Sequence, residues 1–574
     1  MNVARHDFDP AAPATDRPTT DRVRLQGQKR RLLSMMHQRL MIAMLLFGFG
    51  IVAISGRIFY LGIFGADEAG SRIASSYLPA RGDIVDRDGQ PLARTIEGWT
   101  VAVQPHKVIG NKLDLSRALA KLMPERDEAD YYELLTSKKK FSYLRRRAGP
   151  RLVEAVNALG EPGLQLTREP DRLYPQTALA AHVIGYTDID GRGVAGAERA
   201  FEDELTDPAR KGDPVALSIS APVQGALKAE LAAAMTKFSA IGAAGVIMDI
   251  HSGEILALTS LPQLNPNTAG QGGTEARFNR ASLGVYELGS TFKPFTVAMG
   301  METGDIRSMG QMYPCPGSLQ VGNRRIRDTH PFGRPCSVAE IMMESSNIGT
   351  AQIAAQVGAE RQRAFLRKMG FTEKLGHELP ERGRPLTPKQ WGPTEIATVG
   401  YGHGIAVTPI HLASGYATLF NGGLYRTPTI RKVDANHPRA KGERVFSPET
   451  SEAMRALLRL VVTNGTGRKA DAPGYRIGGK TGTAEKIVNG RYSRQLVVNS
   501  FAGVFPIDAP RYVIVVMLDE PKGLPETFGF RTAGWNVAPV VSKTVSRIAP
   551  MLGVTPDEKR EPDMSQVLPH VREP

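Results

Sequence analysis

From Leu40 to Gly56 the chain is an unbroken run of apolar and small residues. At about seventeen residues it sits at the short end of what spans a hydrocarbon core. Inside a bilayer the backbone must hydrogen-bond to itself, so such a run is forced into a helix. Arg57 interrupts it and Ile58–Phe64 resumes it. Arg57 can snorkel to the far interface, and Tyr60 suits an interfacial belt. The basic flank, Lys29, Arg30, Arg31 and Arg39, lies on the N-terminal side, so the N-terminus stays in the cytoplasm and the rest is exported. The run starts too late and extends too far for a cleaved signal peptide, and no small-residue cleavage site follows. A buried helix of a soluble core is the competing reading; length and flanking charge favour a span over residues 40–64. Residues 1–39, polar and then basic, read as a disordered cytoplasmic tail.

Everything after the span must fold in water. The chain has 574 residues, which points to two or three domains, and 41% hydrophobic with 23% charged content describes globular protein. A net charge of +14 suits an acidic polymer, an anionic membrane surface or nucleic acid. The basic residues are spread out and no nucleic-acid motif is visible, which argues against nucleic acid. Cys315 and Cys336 are the two cysteines. No His/Cys cluster with zinc spacing accompanies them, so no metal is expected. In an oxidising compartment the pair could close a loop of about 20 residues, worth on the order of 3 kcal/mol. Two unpaired thiols fit the sequence equally well.

The chemistry is concentrated in Tyr286-Glu287-Leu288-Gly289-Ser290-Thr291-Phe292-Lys293-Pro294. A glycine turn runs into a helix there, and positions i and i+3 share one helical face. Ser290 and Lys293 therefore project together. A serine hydroxyl needs an adjacent base to become a nucleophile. Lysine serves only when neutral, and holding it so at pH 7 costs roughly 4.6 kcal/mol. Burial or a cationic neighbour must supply that shift. Ser-x-x-Lys alone is weak: Ser137-Lys138-Lys139-Lys140 also matches, in a basic run that reads as solvated surface. Ser290 differs in its company. Ser345-Ser346-Asn347 and Lys480-Thr481-Gly482-Thr483-Ala484 follow it. In that order the three motifs are the active-site set of penicillin-binding proteins and serine β-lactamases.

The remaining chain supplies a frame. Arg81–Ala93 alternates around an Asp-Gly turn and predicts a β-hairpin. Residues 110–160 read as charged helices. His182 and His403 read as structural. A helix is predicted over Val223–Phe238, then a hairpin of Gly245–Ile250 and Ile255–Leu258. Residues 338–370 read as helical, with Ser345 and Asn347 at the start or in the loop before it. Ile477–Thr483 is a glycine-crowded strand, as where another backbone approaches closely. Ser500–Phe505 and Tyr512–Leu518 add strands. Residues after about 550 read as a mobile tail.

With these motifs placed, the chain resembles class B penicillin-binding proteins, closest to the division-specific peptidoglycan D,D-transpeptidases of FtsI type. The resemblance runs from the span to about residue 545. It includes RGDIVDRDG, HVIGYT, GVAGAE, HSGEILAL, Tyr401-Gly402-His403-Gly404 and Gly465-Thr466-Gly467 before KTGTA. Leu288 stands where the family usually has proline, and Ser220-Ala221 where it often has an Asp-containing strand end. The resemblance implies an α+β architecture in five parts. These are a tail (1–39), one transmembrane helix (40–64), a mixed α/β pedestal or dimerisation domain (65–222), a transpeptidase domain (223–550) and a C-terminal tail (551–574). The transpeptidase fold has a five-stranded antiparallel sheet flanked by helices, beside an all-helical subdomain.

It also implies roles. Ser290 is the nucleophile toward D-Ala-D-Ala stem peptides of peptidoglycan, and Lys293, hydrogen-bonded to Asn347, its base. Ser345 relays a proton, and Lys480 supplies charge. Thr481, Gly482 and Thr483 bind substrate, and the N–H groups of Ser290 and Thr483 form the oxyanion hole. Which of Lys293 and Lys480 starts neutral stays open. No cofactor is implied. Implied partners are the bilayer, division proteins including an FtsW-type glycosyltransferase, and β-lactams as inhibitors. The implied place is the inner membrane at the septum, with the catalytic domain periplasmic. An elongation-type class B protein, a β-lactamase or β-lactam sensor, and a catalytically inactive division scaffold are the alternatives.

Overall fold

The structure, a computed structural model, describes residues 35–57 and 81–572 except 37, 211, 435, 438 and 489. The basic residues Lys29, Arg30 and Arg31, most of the 1–39 tail, and Ile58–Phe64 of the expected span lie outside the described residues. The chain divides into two units, residues 1–78 and 79–574.

In the first unit, Gln38–Arg57 forms one apolar helix, α1, long enough to cross a membrane. Its 20 residues rise about 30 Å, the thickness of a hydrocarbon core. Its Leu, Ile and Phe side chains are exposed, which suits lipid and not water.

The second unit opens with a mixed sheet. Strand β1 (Ile84–Val85) and β2 (Pro91–Val103) form the expected hairpin. Strands β3 (Ser142–Ala148), β4 (Leu164–Leu173) and β5 (Val215–Ala216) complete it; β4 runs antiparallel along β2, and β5 pairs with β1 in parallel. Strand β3 corrects the reading of 110–160 as helical. Leu144 and Ala148 turn inward onto Leu119 and Tyr131, while three arginines occupy the positions between. That alternation was hidden by helix-favouring arginines, and pairing with β2 decides the outcome.

The RGDIVDRDG stretch is a fastener. Arg81 Nε and Arg172 Nε bind Glu198 at 2.6 and 2.7 Å, with all three side chains buried. Asp86 accepts from the Asp88 and Gln90 N–H groups, closing the hairpin turn, and from Ala221 N at 3.2 Å. Ala221 begins α2 (Ala221–Lys237), the first helix of the next layer. His182 is buried with Nε2 against the Ala276 carbonyl, and burial pushes its pKa down to about 4, as suits a structural histidine.

The catalytic sheet begins with β6 (Gly242–Asp249) and β7 (Ile255–Leu261). A small hairpin, β8 (Leu319–Val321) and β9 (Arg324–Ile326), stands apart from it. Strands β10 (Gly478–Val488), β11 (Arg491–Phe505) and β12 (Tyr512–Asp519) finish the sheet in the order β10-β11-β12-β6-β7, all antiparallel. Side chains alternate between its faces, as strand geometry demands. Ile247, Ile514 and Val516 pack with Leu227 and Leu231 of α2 and with Val541 and Val545 of the last long helix. Val246, Val513 and Val515 pack on the other face with Phe295, Tyr416 and Leu458.

Three shorter helices build the site: α3 (Lys293–Glu302), α4 (Val338–Met343) and α5 (Asn347–Val357). Helix α6 (Pro448–Thr463) backs them, and α7 (Ala538–Met551) is the helix against α2. Cys315 and Cys336 are joined in a disulfide, their Cα atoms 5.8 Å apart.

The segment after residue 550 differs from the expected mobile tail. Val567 is fully buried in the main core. Glu561 binds Arg459 of α6 at 2.6 Å, Arg560 binds Asp508, and the His570 carbonyl accepts from Ser337 Oγ, which caps α4. Its Pro and charge content looked like solvated chain, yet the buried Arg459 and Asp508 of the domain draw Glu561 and Arg560 in.

Glu198→Ala leaves the buried Arg172 without a carboxylate and Arg81 with Glu202 alone. A cost of about 3–5 kcal/mol is expected, read as a lowered denaturant midpoint of the first sheet layer.

Candidate active site

Ser290 sits in a single 3₁₀ turn, Gly289–Phe292, that feeds directly into α3. Gly289 has φ +56°, a conformation glycine adopts without a Cβ penalty. The turn is held from beneath. Thr291 Oγ1 and Ser500 Oγ both donate to the Leu288 carbonyl, and Tyr416 OH donates to the Thr291 carbonyl at 3.0 Å. Phe292, Phe295, Phe371 and Tyr416 pack edge-on or tilted at centroid distances of 5.2–5.6 Å, fixing the start of α3. Leu288 has φ −104°, well away from the proline value near −65°, so the turn's geometry here accommodates leucine.

Lys293 is wholly buried as the first residue of α3. Its Nζ donates to the Ser345 carbonyl and to Ser345 Oγ at 3.1 Å. Ser345 lies between α4 and α5 with φ +64°, a left-handed conformation rare for serine. Asn347, expected on Lys293, instead donates from Nδ2 to the Arg327 carbonyl at 3.0 Å. Ser345 is thus the Lys293 partner, and Asn347 anchors the helix start.

Lys480 is also wholly buried, on β10. Its Nζ donates to the Thr481 carbonyl at 3.2 Å and to Thr466 Oγ1 at 3.4 Å. Thr466 and Thr481 hydroxyls are 2.9 Å apart. Thr483 is exposed, its hydroxyl accepting from Ala533 N. All these partners of the two amines are neutral. Burial, then the nearby Lys480 ammonium, holds Lys293 well below the usual lysine range, with Asp328 partly opposing. Burial pushes Lys480 down to about 7, with Glu344 partly opposing. Lys293 bears both burial and the Lys480 charge, so it loses its proton first. That orders the two lysines, which sequence left open.

The strand and the turn meet backbone to backbone. A Cβ on Gly482 would stand 2.3 Å from the Leu288 carbonyl oxygen, and one on Gly289 3.1 Å from that of Thr483. Only glycine lets β10 lie this close to the serine turn. Strand β10 is an edge strand, paired among the described residues with β11 alone. Its other edge can pair with an extended peptide. The arrangement combines a serine at a tight turn, a buried amine held below the usual lysine range on the Ser345 hydroxyl, and a second buried lysine on an edge strand. That is the equipment of acyl transfer through a serine ester.

A family model of the penicillin binding protein transpeptidase domain matches residues 243–542, and one of the penicillin-binding protein dimerisation domain matches 76–214. The chain belongs to the class B penicillin-binding proteins. It is 38% identical to the probable peptidoglycan D,D-transpeptidase FtsI of Caulobacter vibrioides, over 90% of this chain and 89% of that one. It is 29% identical to the peptidoglycan D,D-transpeptidase FtsI of Escherichia coli K12, over 85% and 86%. Among solved structures, penicillin binding protein 3 of Mycobacterium tuberculosis complexed with aztreonam superposes with a TM-score of 0.66 at 27% identity, covering 84% of this chain and 98% of that one.

In this class B penicillin-binding protein Lys293 lies on Ser345, Lys480 lies on Thr466, and the Ser290 turn packs against β10 at Gly482 and Thr483, while Asn347 is bonded to Arg327. Three neighbours were given no catalytic or binding role in sequence, His403 having been read as structural. Thr466 belongs to the Gly-Thr-Gly stretch before KTGTA, which was the available signal. His403 stacks near Tyr401 and Tyr492, and burial with the nearby Lys293 pushes its pKa down to about 4. Asp328 had no motif around it.

Gly482→Ala should cut the acylation rate on the order of 10²-fold by pushing the serine turn off β10. The pH profile of acylation should be bell-shaped. Its alkaline limb is expected near pH 7, where Lys480 loses its charge. Its acid limb lies lower, where Lys293 gains a proton. Fluorescent-penicillin kinetics from pH 4 to 10 check both.

Proposed function

We propose that this chain is a peptidoglycan D,D-transpeptidase that crosslinks stem peptides of the septal wall through an ester on Ser290. The observation that carries the reading is the doubly buried lysine pair, Lys293 on Ser345 and Lys480 on Thr466, flanking the serine turn. Lys293 takes the Ser290 proton as Oγ attacks the carbonyl of the penultimate D-Ala. The N–H groups of Ser290 and Thr483 receive the oxyanion, a contribution of about 3–4 kcal/mol per donor. The C–N bond then breaks, and the proton passes from Lys293 through Ser345 to the leaving D-Ala amine. A second stem's amine attacks the ester and forms the crosslink, and Ser290 recovers its proton. Lys480 with Thr481 and Thr483 holds the donor's terminal carboxylate, while the edge of β10, including Gly482, pairs with its backbone. A β-lactam acylates Ser290 in the same way, but its leaving nitrogen stays tethered in the cleft.

In this reading residues 65–222 are a pedestal and 223–550 the transpeptidase domain. α1 anchors the chain in the inner membrane, N-terminus inside, with the catalytic domain periplasmic. The similarity to proteins named FtsI supports the septum as its place, and an FtsW-type glycosyltransferase and other division proteins as partners.

The test is acylation of the full chain in detergent by a fluorescent penicillin, read by intact mass. One stable adduct on Ser290, absent in Ser290→Ala, is expected. Rapid turnover of the adduct would make the protein a hydrolase, and no adduct on folded protein would remove the catalytic reading.

A further inference from the structure

The loop closed by the Cys315–Cys336 disulfide reaches into the site by one side chain. Asp328 follows strand β9 by two residues. Its Oδ1 accepts from Asn347 N at 2.5 Å and from Ile348 N at 3.0 Å, and its Oδ2 from Ser346 Oγ at 2.6 Å. The preceding carbonyl, Arg327, takes the Asn347 amide. Two successive loop residues therefore grip three successive residues of the Ser-Ser-Asn-Ile stretch. The loop is itself pinned: Ile326 is buried with Ile348 and Ala351 of α5 and with Ala397.

A helix start needs acceptors for its first N–H groups, and a serine N-cap ordinarily supplies one. Ser346 already does so, accepting from Gly349 N at 2.9 Å. Asp328 thus adds a carboxylate to a helix that is already capped. The residue just before is Ser345, in the left-handed conformation and bonded to Lys293. Such a conformation persists only when its surroundings determine it. On one side the Ser346 N–H donates to the Ile341 carbonyl. On the other side the Ser346 hydroxyl is held by Asp328.

We propose that Asp328 is a positioning residue of the acylation step, holding Ser346 and Asn347 so that Ser345 stays on Lys293. The inference rests on Ser290 being the acylated serine. The charged and titratable groups acting around Lys293 are Lys480 on β10, Asp328, and the neutral His403; Glu344 acts on Lys480. Asp328 is the negative one acting on Lys293 directly, favouring its charged form. A group that merely capped a helix would alter stability and leave the acylation rate of the folded protein unchanged.

The experiment measures fluorescent-penicillin acylation of the full chain against pH, with melting temperature recorded for each variant. Asp328→Asn is expected to lose on the order of 10²-fold in rate. Its acid limb should move to lower pH, since removing the negative charge makes Lys293 easier to deprotonate. Asp328→Glu keeps the charge one methylene out of place, so it should lose rate with the limb unmoved, and it decides the matter if the asparagine variant does not fold. Wild-type rate in either variant, or a loss that merely tracks the folded fraction, overturns the proposal. Wild-type acylation in the same series, with its Ser290→Ala control, separates that result from a failure of the site assignment.

Discussion

Two lysines buried side by side, with only neutral hydrogen-bond partners, set the terms for the site around them. Each ammonium would lose several kcal/mol of hydration on burial. The molecule resolves this by letting one give up its proton, and the other holds its charge only marginally. Burial has to be complete for that, which explains why the serine turn is backed by four packed aromatic rings and by the core face of a five-stranded sheet. A wetter site would return both lysines to full charge and leave Ser290 without a base.

Close approach is the second requirement. The serine turn belongs to the helical side of the cleft and β10 to the sheet. Their register rests on glycine at 482 and on hydrogen bonds from the sheet to the serine turn, Ser500 Oγ to the Leu288 carbonyl and Tyr492 OH to the Glu287 carboxylate. The cleft is thus a seam between two layers packed at backbone distance. In the proposed reading, chemistry on Ser290 and carboxylate binding on Lys480 come from opposite sides of that seam.

Much of this was legible in sequence because it is written in local pattern. The apolar run of α1, the Asp86–Gln90 turn, the alternating strands and the three motifs each declare themselves within a few residues. What stayed hidden depends on distant partners. Strand β3 is set by pairing with β2, against the local leaning of its arginines. Asn347 turned to the Arg327 carbonyl and left Lys293 to Ser345, because the loop carrying Arg327 is folded over α5 by Ile326. The fate of the two cysteines was a question of geometry. The last residues looked like free chain, since the buried Arg459 and Arg476 that hold Glu561 and the Asp557 carbonyl lie far upstream.

That docked C-terminus bears on how the protein is made. If the chain is exported from its membrane span onward, as proposed, the hairpin of β6 and β7 is delivered early, while its neighbour β12 arrives nearly at the end of synthesis. Until then the inner edge of β6 has no strand to pair with, and α4, which leads to Ser345, lacks the carbonyl that binds its cap. Low-contact-order pieces can form as they emerge, but the sheet and the cleft must wait for long-range pairing. The catalytic half therefore reaches its final form only once the whole chain is available, and a chain truncated in its last stretch emerges with its site assembled but unlatched.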